Sequence, residues 1–212
     1  MAGAEQTLIG RSLEGRFTLD APLGRGRSGL VFAGRDAATG AEAAVKVLAV
    51  PRDAEARERF RALVRREAGA AAALAHPHVA AVLGFGTDPE IRADYVATEL
   101  LRGERLSAVL AQRGRPPLPL ALRILGEAAA AVGAGHRAGL VHRDLRPASL
   151  FLVRPEGERQ VRVKLLGFGV PQMVSREGLA AQDASLRAYA PPEQLAAGSA
   201  RLGPASDVFA LG

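Results

Sequence analysis

Short runs in which apolar and polar residues alternate mark the first half of the chain. Five runs show this pattern, each bounded by glycine or polar residues: RFTLDAPLG, SGLVFAGRD, EAAVKVLAV, VAAVLGFGT and ADYVATELL. Alternation of this kind predicts half-buried β-strands, and the short polar breaks between the runs favour antiparallel neighbours. We therefore expect a five-stranded antiparallel sheet.

One helical pattern interrupts these runs. In RDAEARERFRALVRREAGAAAALA, the apolar residues Phe60, Val64 and Ala71 recur at helical spacing among charges, and Asp53 stands where such a helix begins. Pro77 disfavours helical geometry at the residue before it, so we expect the helix to end ahead of HPHV.

The second half of the chain starts with helical patterns. LSAVLAQRG and LALRILGEAAAAVGAGHRAG predict helices, LVHRD, SLFLV and VRVKLLG predict short strands, and RPEGERQ predicts a hairpin turn. The whole pattern is typical of an α+β fold. We divide it into an N-terminal segment (residues 1–16), a first lobe (17–101) and a mainly α second lobe (102–212).

Composition narrows the function classes. A chain of 212 residues, 48% of them apolar, can bury a core, and the absence of cysteine excludes disulfides and thiolate metal sites. The net charge of +6 comes from scattered arginines, and only 4% of residues are aromatic, so we expect no nucleic-acid partner. Neither a signal-peptide pattern nor an uncharged window of membrane-spanning length is seen, so we expect no membrane span and a cytoplasmic location.

A glycine motif lies between the first two predicted strands. LGRGRSGLVF places Gly24, Gly26 and Gly29 in the spacing G-x-G-x-x-G. Dinucleotide-binding folds use the same spacing, but there the motif opens a helix, whereas here the strand-like LVFAG follows. The motif therefore predicts a glycine-rich hairpin whose backbone amides approach phosphates, with an ordinary glycine turn as the alternative.

Lysine is rare in this chain. Of 28 basic residues only two are lysines, Lys46 and Lys164. Lys46 lies at the inner face of a predicted strand, where a compact ammonium would meet phosphates under the glycine loop and a guanidinium would not replace it. A solvated strand lysine is the alternative.

The most specific motif is VHRDLRPAS, which includes His142 to Ser149. It resembles the catalytic loop His-Arg-Asp-Leu-Lys-Pro-x-Asn of protein kinases. With the glycine loop and Lys46, the chain resembles a protein kinase over residues 17–212 and is most similar to the bacterial serine/threonine kinases. The resemblance implies a two-lobed fold, ATP as the phosphate donor and a protein as substrate or partner.

The resemblance also implies roles for individual residues. Asp144 would accept the proton of the substrate hydroxyl, and Arg143 would brace the activation segment. Glu67, on the predicted helix, would pair with Lys46 and position it. His142 would be a packing histidine rather than a base or a metal ligand.

Two positions depart from the family pattern. Where the family has Asp-Phe-Gly, this chain has Gly167, Phe168 and Gly169, and Ser149 replaces the asparagine of the catalytic loop. The family uses that aspartate and asparagine to hold Mg²⁺, so we assign no metal ligand here and do not expect Mg²⁺ to bind as in the family. Arg146 in place of the usual lysine is a mild change.

An adenine slot is a further implication of the resemblance. Thr98 would form its back wall, and Phe151, larger than the usual leucine, would fill part of it. Ala71 would leave only a small contact on the Phe168 side of the helix. The expected nucleotide-binding residues are Leu23, Gly24, Gly26, Gly29, Val31, Ala44, Lys46, Glu99, Leu101 and Phe151.

Two motifs near the end resemble later parts of the family pattern. In YAPPEQL, Glu193 would pair with an arginine of the second lobe, and in SDVFALG, Asp207 would anchor the backbone of the catalytic loop. The activation segment has Leu186 where the family has threonine, and it offers Ser175 and Ser185 for phosphorylation. Because the chain ends as the central helix begins, we expect the second lobe to be incomplete.

We therefore expect a kinase-like domain that binds ATP, with phosphotransfer impaired or absent. Such a pseudokinase would serve as a signalling or scaffolding module. One alternative is an active serine/threonine kinase that uses Asp144 with metal held by ATP and water. Another is an interaction domain that binds no nucleotide because Phe151 fills the pocket.

Overall fold

The structure is a computed structural model that describes residues 3–26, 28–155, 157, 160–170, 188–195 and 202–212. The chain divides into two compact units. Unit 1 comprises Met1–Ala73, Ala81–Leu101 and Gly169–Pro171, and unit 2 comprises Leu74–Ala80, Arg102–Phe168 and Gln172–Gly212. The predicted α+β class is confirmed.

Unit 1 is built mainly of strands. Its elements are α1 (Gly3–Leu8), β1 (Ser12–Leu13), β2 (Phe17–Thr18), β3 (Ala21–Gly26), β4 (Gly29–Arg35), β5 (Glu42–Leu48), α2 (Ala54–Ala72), β6 (Val82–Asp88) and β7 (Ala93–Glu99). Strands β3 to β7 form one five-stranded antiparallel sheet, as the alternating runs predict, and their order in it is β3-β4-β5-β7-β6. The helix α1 and the β1–β2 pair have no counterpart in the sequence prediction.

The core of unit 1 lies on one face of this sheet. The register pairs Phe32 with Val45 and Val45 with Ala97, and all three side chains are fully buried. Because side chains alternate along a strand, this row occupies a single face. The other core residues are Leu13, Phe17, Leu19, Ala43, Val47 and Tyr95.

The N-terminal residues complete this core. The sequence pattern sets residues 1–16 apart as a segment, yet Leu13 is fully buried beside Phe17. Arg16 ties this segment to the sheet, because its Nε and Nη2 donate to the two carboxylate oxygens of Asp36 over 3.0 and 2.8 Å. Its guanidinium also covers the Phe17 ring, 4.6 Å from the ring centre.

Helix α2 begins and ends where the sequence predicts. Asp53 Oδ1 accepts a hydrogen bond from Ala56 N over 2.7 Å and so caps the first turn. Phe60 and Val64 are buried, in agreement with the helical periodicity. The helix ends at Ala72, ahead of HPHV.

The first strand of unit 2 is short and leads directly into a helix. Its elements are β8 (Gly103–Arg105), α3 (Leu106–Arg113), α4 (Leu118–Arg137), a 3₁₀ turn (Pro147–Ser149), β9 (Leu150–Val153), β10 (Arg162–Leu165), α5 (Pro192–Leu195) and α6 (Pro204–Leu211). The strands pair antiparallel in the order β10-β9-β8. The two predicted helices and the antiparallel pairing of β9 with β10 are confirmed. The predicted turn RPEGERQ lies partly outside the described residues, and β8 has no counterpart in the prediction.

The prediction of a strand at LVHRD is wrong. Residues 140–144 are irregular, and the backbone N–H groups of His142 and Arg143 donate to the side chain of Asp207 rather than to a neighbouring strand. This stretch is as apolar as a strand, but two of its backbone N–H groups find their hydrogen-bond acceptor in a side chain far along the sequence.

Helix α4 is the one described helix that is long and apolar enough to cross a membrane. It nevertheless carries Arg123 and Glu127, and Glu127 Oε2 accepts a hydrogen bond from Val163 N of β10 over 2.6 Å. One side of the helix is buried inside unit 2, through Ile124, Ala128, Ala131, Val132, Ala134 and Gly135. The opposite part of α4 is open, since Leu118, Leu122 and Leu125 are exposed.

Candidate functional site

The glycine motif forms the predicted hairpin, with Gly26 of β3 opposite Gly29 of β4. Gly29 has φ +144°, and a Cβ at this residue would lie 1.9 Å from Val47 O, so only glycine lets β4 approach β5 here. Gly24 also has a positive φ of +141°, but a Cβ there would meet no described atom within 4 Å. Glycine is thus favoured at residue 24 by the backbone conformation alone. At residue 29 it is favoured both by the conformation and by the close approach of β5.

Lys46 lies on the face of the sheet opposite the core. The register aligns it with Val31 and Val96, one residue out of step with the buried row. Ala44 shares this face and is half-buried, as Lys46 is. Lys46 Nζ lies 3.9 Å from the position that a Cβ on Gly26 would take. The structure therefore brings Val31, Ala44, Lys46 and the glycine hairpin together.

Glu67 is a buried carboxylate on α2, in the same unit as Lys46 and only 7% exposed. Arg66 Nη2 lies 3.6 Å from its Oε1. A buried carboxylate requires charged or hydrogen-bonding partners. The ion pair between Glu67 and Lys46 stays a prediction.

The other expected nucleotide-binding residues occupy different settings. Leu23 lies at an irregularity of β3 and is 54% exposed. Glu99 N donates to Ala81 O, and Glu99 Oε1 accepts from Ala81 N, both over 2.9 Å. Leu101 ends unit 1, Phe151 lies on β9 of unit 2, and both are half-buried. Their roles toward a nucleotide stay predictions.

Asp207 anchors the catalytic loop, as predicted. It is buried in α6, and its Oδ2 and Oδ1 accept hydrogen bonds from His142 N and Arg143 N, each over 2.8 Å. His136 Nε2 lies 2.7 Å from Asp207 Oδ2. The sequence analysis missed His136, although a histidine in the last turn of an apolar helix is a usable signal.

His142 has the predicted packing role. It is 4% exposed, its Nε2 lies 2.8 Å from Leu166 O, and its ring meets Phe168 edge to face with ring centres 5.2 Å apart. Burial lowers the pKa of His142, which keeps the imidazole neutral. A neutral ring bonded to a backbone carbonyl supports the loop.

Two glycines lie close to the paired rings of His142 and Phe168, one beside each ring. A Cβ on Gly135 of α4 would lie 2.2 Å from Phe168 Cζ, so the ring packs directly on the helix backbone. Gly167 has φ +111°, and a Cβ there would lie 3.2 Å from His142 Nε2. A glycine inside an apolar helix carries no recognisable signal, and the sequence analysis missed Gly135.

The two family positions for metal ligands do not fit Mg²⁺. Ser149 Oγ accepts a hydrogen bond from Arg146 N over 3.1 Å and donates to Arg146 O over 2.8 Å, and Ser149 is buried. Gly167 has no side chain. Within the described ranges, no three His, Cys, Asp or Glu side chains come together in a way that could hold a metal ion.

Asp144 lies next to the arginine that replaces the family lysine. Arg146 Nε is 3.1 Å from Asp144 Oδ1, and both side chains are largely buried. The part of Asp144 as proton acceptor stays a prediction. The predictions for Ser175, Ser185 and Leu186 concern residues outside the described ranges.

Two further contacts involve residues that the resemblance singled out. Ala71 is buried and lies against the backbone of Gly169, where a Cβ would lie 2.9 Å from Ala71 Cβ. Glu193 Oε1 accepts a hydrogen bond from Ser206 Oγ over 2.6 Å, and this bond is the main cause of its lowered pKa. The pairing of Glu193 with an arginine of the second lobe stays a prediction.

Comparison with known proteins shows the family to which the chain is similar. The family model described as Protein kinase domain matches residues 17–212. The serine/threonine-protein kinase PknA of Mycobacterium tuberculosis is 37% identical over 214 aligned residues, which cover 96% of this chain and 46% of PknA. PknL of Mycobacterium bovis is 32% identical, with coverage of 100% of this chain and 51% of PknL. The chain spans about half the length of these relatives.

A solved structure shows a similar architecture. The crystal structure of the Mycobacterium tuberculosis PknI kinase domain matches with a TM-score of 0.72 and 28% sequence identity. The match covers 95% of this chain and 73% of the PknI chain. The antiparallel sheet of unit 1 and the helical character of unit 2 therefore follow a known two-lobed plan.

Proposed function

The chain belongs to the protein kinase family, and on that premise we propose that it binds ATP while its transfer of phosphate to protein hydroxyls is impaired or absent. It would then act as a pseudokinase, a signalling or scaffolding module. One observation carries this proposal: the hydroxyl of Ser149 is bonded to both backbone polar groups of Arg146, and Gly167 has no side chain.

The chemistry of phosphoryl transfer explains why these positions matter. The reaction depends on positioning and on positive charge that neutralises the phosphates. Removal of one preorganised electrostatic group costs about 10²- to 10³-fold in rate. An ordinary kinase turns over roughly 1 to 100 times per second. Loss of two such groups lowers this rate by about 10⁴-fold or more, although the effects of coupled groups on the rate do not add simply.

Binding of ATP is supported by what the chain retains. The glycine hairpin keeps the backbone shape that phosphates require, and Lys46 shares its surface with Val31 and Ala44. The catalytic loop that carries Asp144 is held by Asp207. A chain with no nucleotide role has no chemical need for this combination.

An active serine/threonine kinase is the second candidate function. It is favoured by Asp144 in an anchored loop and by the names of the relatives, which are serine/threonine-protein kinases. Radiolabelled ATP and a generic protein substrate separate the two candidates. We expect the wild-type chain to match its Asp144→Asn variant, and transfer well above that variant would establish the active kinase instead.

Thermal shift with ATP tests the binding claim. We expect ATP to raise the melting temperature both with Mg²⁺ and with a chelator. No stabilisation at millimolar ATP in either condition would contradict the proposal. That outcome would favour an interaction domain that binds no nucleotide.

Repair of the two altered positions tests the cause of the lost activity. We expect Gly167→Asp combined with Ser149→Asn to raise phosphotransfer in the presence of Mg²⁺. Gly167→Asn with Ser149→Asn is the matched control, because it adds a side chain of the same shape at the same positive φ without the charge. Equal activity of the two repaired variants would show that loss of the carboxylate is not the cause.

A further inference from the structure

Arg146 lies beside the aspartate that the family resemblance makes the proton acceptor. Its Nε is 3.1 Å from Asp144 Oδ1, and the two side chains are 21% and 16% exposed. The Nε–H is buried and has no aligned hydrogen-bond partner, so the contact is an ion pair rather than a directed hydrogen bond. At this distance and burial the two charges interact more strongly than they would in water.

Ser149 holds the backbone of Arg146. One hydroxyl accepts from Arg146 N over 3.1 Å and donates to Arg146 O over 2.8 Å. Arg146 is fully extended, with φ −169° and ψ 168°, and the 3₁₀ turn that ends at Ser149 follows it. The hydroxyl therefore fixes the point from which the guanidinium reaches Asp144.

A second arginine acts on the same guanidinium from another element. Arg105 of β8 donates from Nη1 to Ala148 O over 2.6 Å. Its pKa is lowered first by burial and then by the charge of Arg146. The two arginines therefore repel each other, whereas the Asp144 carboxylate attracts Arg146.

We propose that Ser149 and Arg146 are positioning residues that make Arg146 a resident counter-ion of Asp144. The serine that replaces the family asparagine then has a structural role, because its hydroxyl is hydrogen-bonded to the backbone N–H and C=O of Arg146. This inference rests on the proposed function and deepens it. A neutral Asp144–Arg146 pair does not repel nucleotide phosphates, so ATP binds without a metal to balance the charge of Asp144.

The pair is tested first without nucleotide. Stability is measured for the wild type, Asp144→Asn, Arg146→Gln and the double variant, and the same cycle is repeated with Ser149→Ala and with Ser149→Thr. When residue 149 is the native serine, or is changed by Ser149→Thr and so keeps a hydroxyl, we expect the double variant to lose clearly less melting temperature than the two single variants lose in sum. With Ser149→Ala we expect the losses to approach additivity. Additive losses in the wild type, or an unchanged coupling with Ser149→Ala, would overturn the proposal.

The guanidinium gives a spectroscopic readout of the same contact. We expect the NMR signal of the Arg146 Nε–H group, assigned by its absence in Arg146→Gln, to shift in Asp144→Asn and in Ser149→Ala. It should stay in place in Ser149→Thr. A signal that ignores Asp144→Asn would contradict the ion pair even if every variant is folded.

The effect on nucleotide is tested with ATP and a chelator. Arg146→Gln should weaken ATP binding about tenfold, the size of one charge-assisted contact, and Asp144→Asn added to it should restore most of the affinity. Unchanged affinity in Arg146→Gln would overturn the counter-ion role. If the wild type binds no ATP while the stability coupling is present, the proposed function fails and the positioning of Asp144 stands.

Discussion

Asp207 Oδ1 accepts a hydrogen bond from Arg143 N over 2.8 Å, while Arg143 is held at φ +64°. A left-handed backbone costs a non-glycine residue roughly 1–2 kcal/mol. A buried, charged acceptor offsets such a cost, and the second oxygen of Asp207 fixes His142 N in the same way. One side chain of α6 thus sets the geometry of a loop more than sixty residues earlier.

Asp207→Asn should therefore destabilise unit 2. The variant loses the charge that serves two backbone N–H groups and faces His136, so we expect the free energy of unfolding to fall by about 2 kcal/mol. Urea unfolding at neutral pH measures this loss. The exposed Asp20→Asn is the control and should stay within about 0.5 kcal/mol of the wild type. Equal stability of the two variants would show that the loop does not depend on this anchor.

The two glycines of the hairpin should respond differently to alanine. Gly24→Ala meets only the backbone strain of a positive φ, which costs about 1–3 kcal/mol. Gly29→Ala meets the same strain and also places Cβ 1.9 Å from Val47 O of the paired strand. We expect a clearly lower melting temperature for Gly29→Ala than for Gly24→Ala. Equal values would mean that β4 and β5 separate at no cost.

Helix α4 offers a second matched pair of glycines. A Cβ on Gly126 meets no described atom within 4 Å, so Gly126→Ala should stabilise the helix by up to about 1 kcal/mol. A Cβ on Gly135 would lie 2.2 Å from the Phe168 ring, so Gly135→Ala must displace the ring and should lower the melting temperature. The contact between Phe168 and His142 should weaken too. A stabilising Gly135→Ala would contradict this packing.

The Arg16–Asp36 ion pair should make stability depend on pH. The hydrogen bonds from Arg16 are the main cause that lowers the pKa of Asp36 to about 2. An unfolded aspartate titrates near about 4, so the folded state favours the ionised form and the gain is complete above that pH. As the pH falls through about 4 toward 2, both states take up the proton and the gain is lost.

Asp36→Asn measures this contribution. The wild type should unfold at a higher temperature than the variant at neutral pH, and the gap should narrow progressively below about pH 4. Asp20→Asn is again the control, because it removes an exposed carboxyl outside the Arg16–Asp36 ion pair. A gap for Asp36→Asn that does not change with pH would show that charge at this site does not stabilise the fold.

Much of unit 1 could be predicted because its strands show local alternation of apolar and polar residues. Phe32, Val45 and Ala97 each occupy an apolar position of their own run, and these positions share the core face of the sheet. The glycine hairpin is predictable as well, since its conformations exclude other residues. The burial of Leu13 could not be predicted, because it depends on a strand of only two residues.

The catalytic loop and the two metal-ligand positions could not be predicted fully from the local sequence pattern. LVHRD has the composition of a strand, and only the distant Asp207 carboxylate makes it a loop. The identity of Ser149 was enough to question metal binding. Its bridge to Arg146 was not predictable, because a hydroxyl has many available partners and the backbone geometry chooses among them.

Along β5, residues that build the core and residues that face the Lys46 surface occupy alternate positions, so no side chain serves both. A change at Ala44 or Lys46 therefore leaves the buried row at Ala43, Val45 and Val47 in place. In such a strand, the chemistry of one face can change while the fold that the other face maintains stays the same.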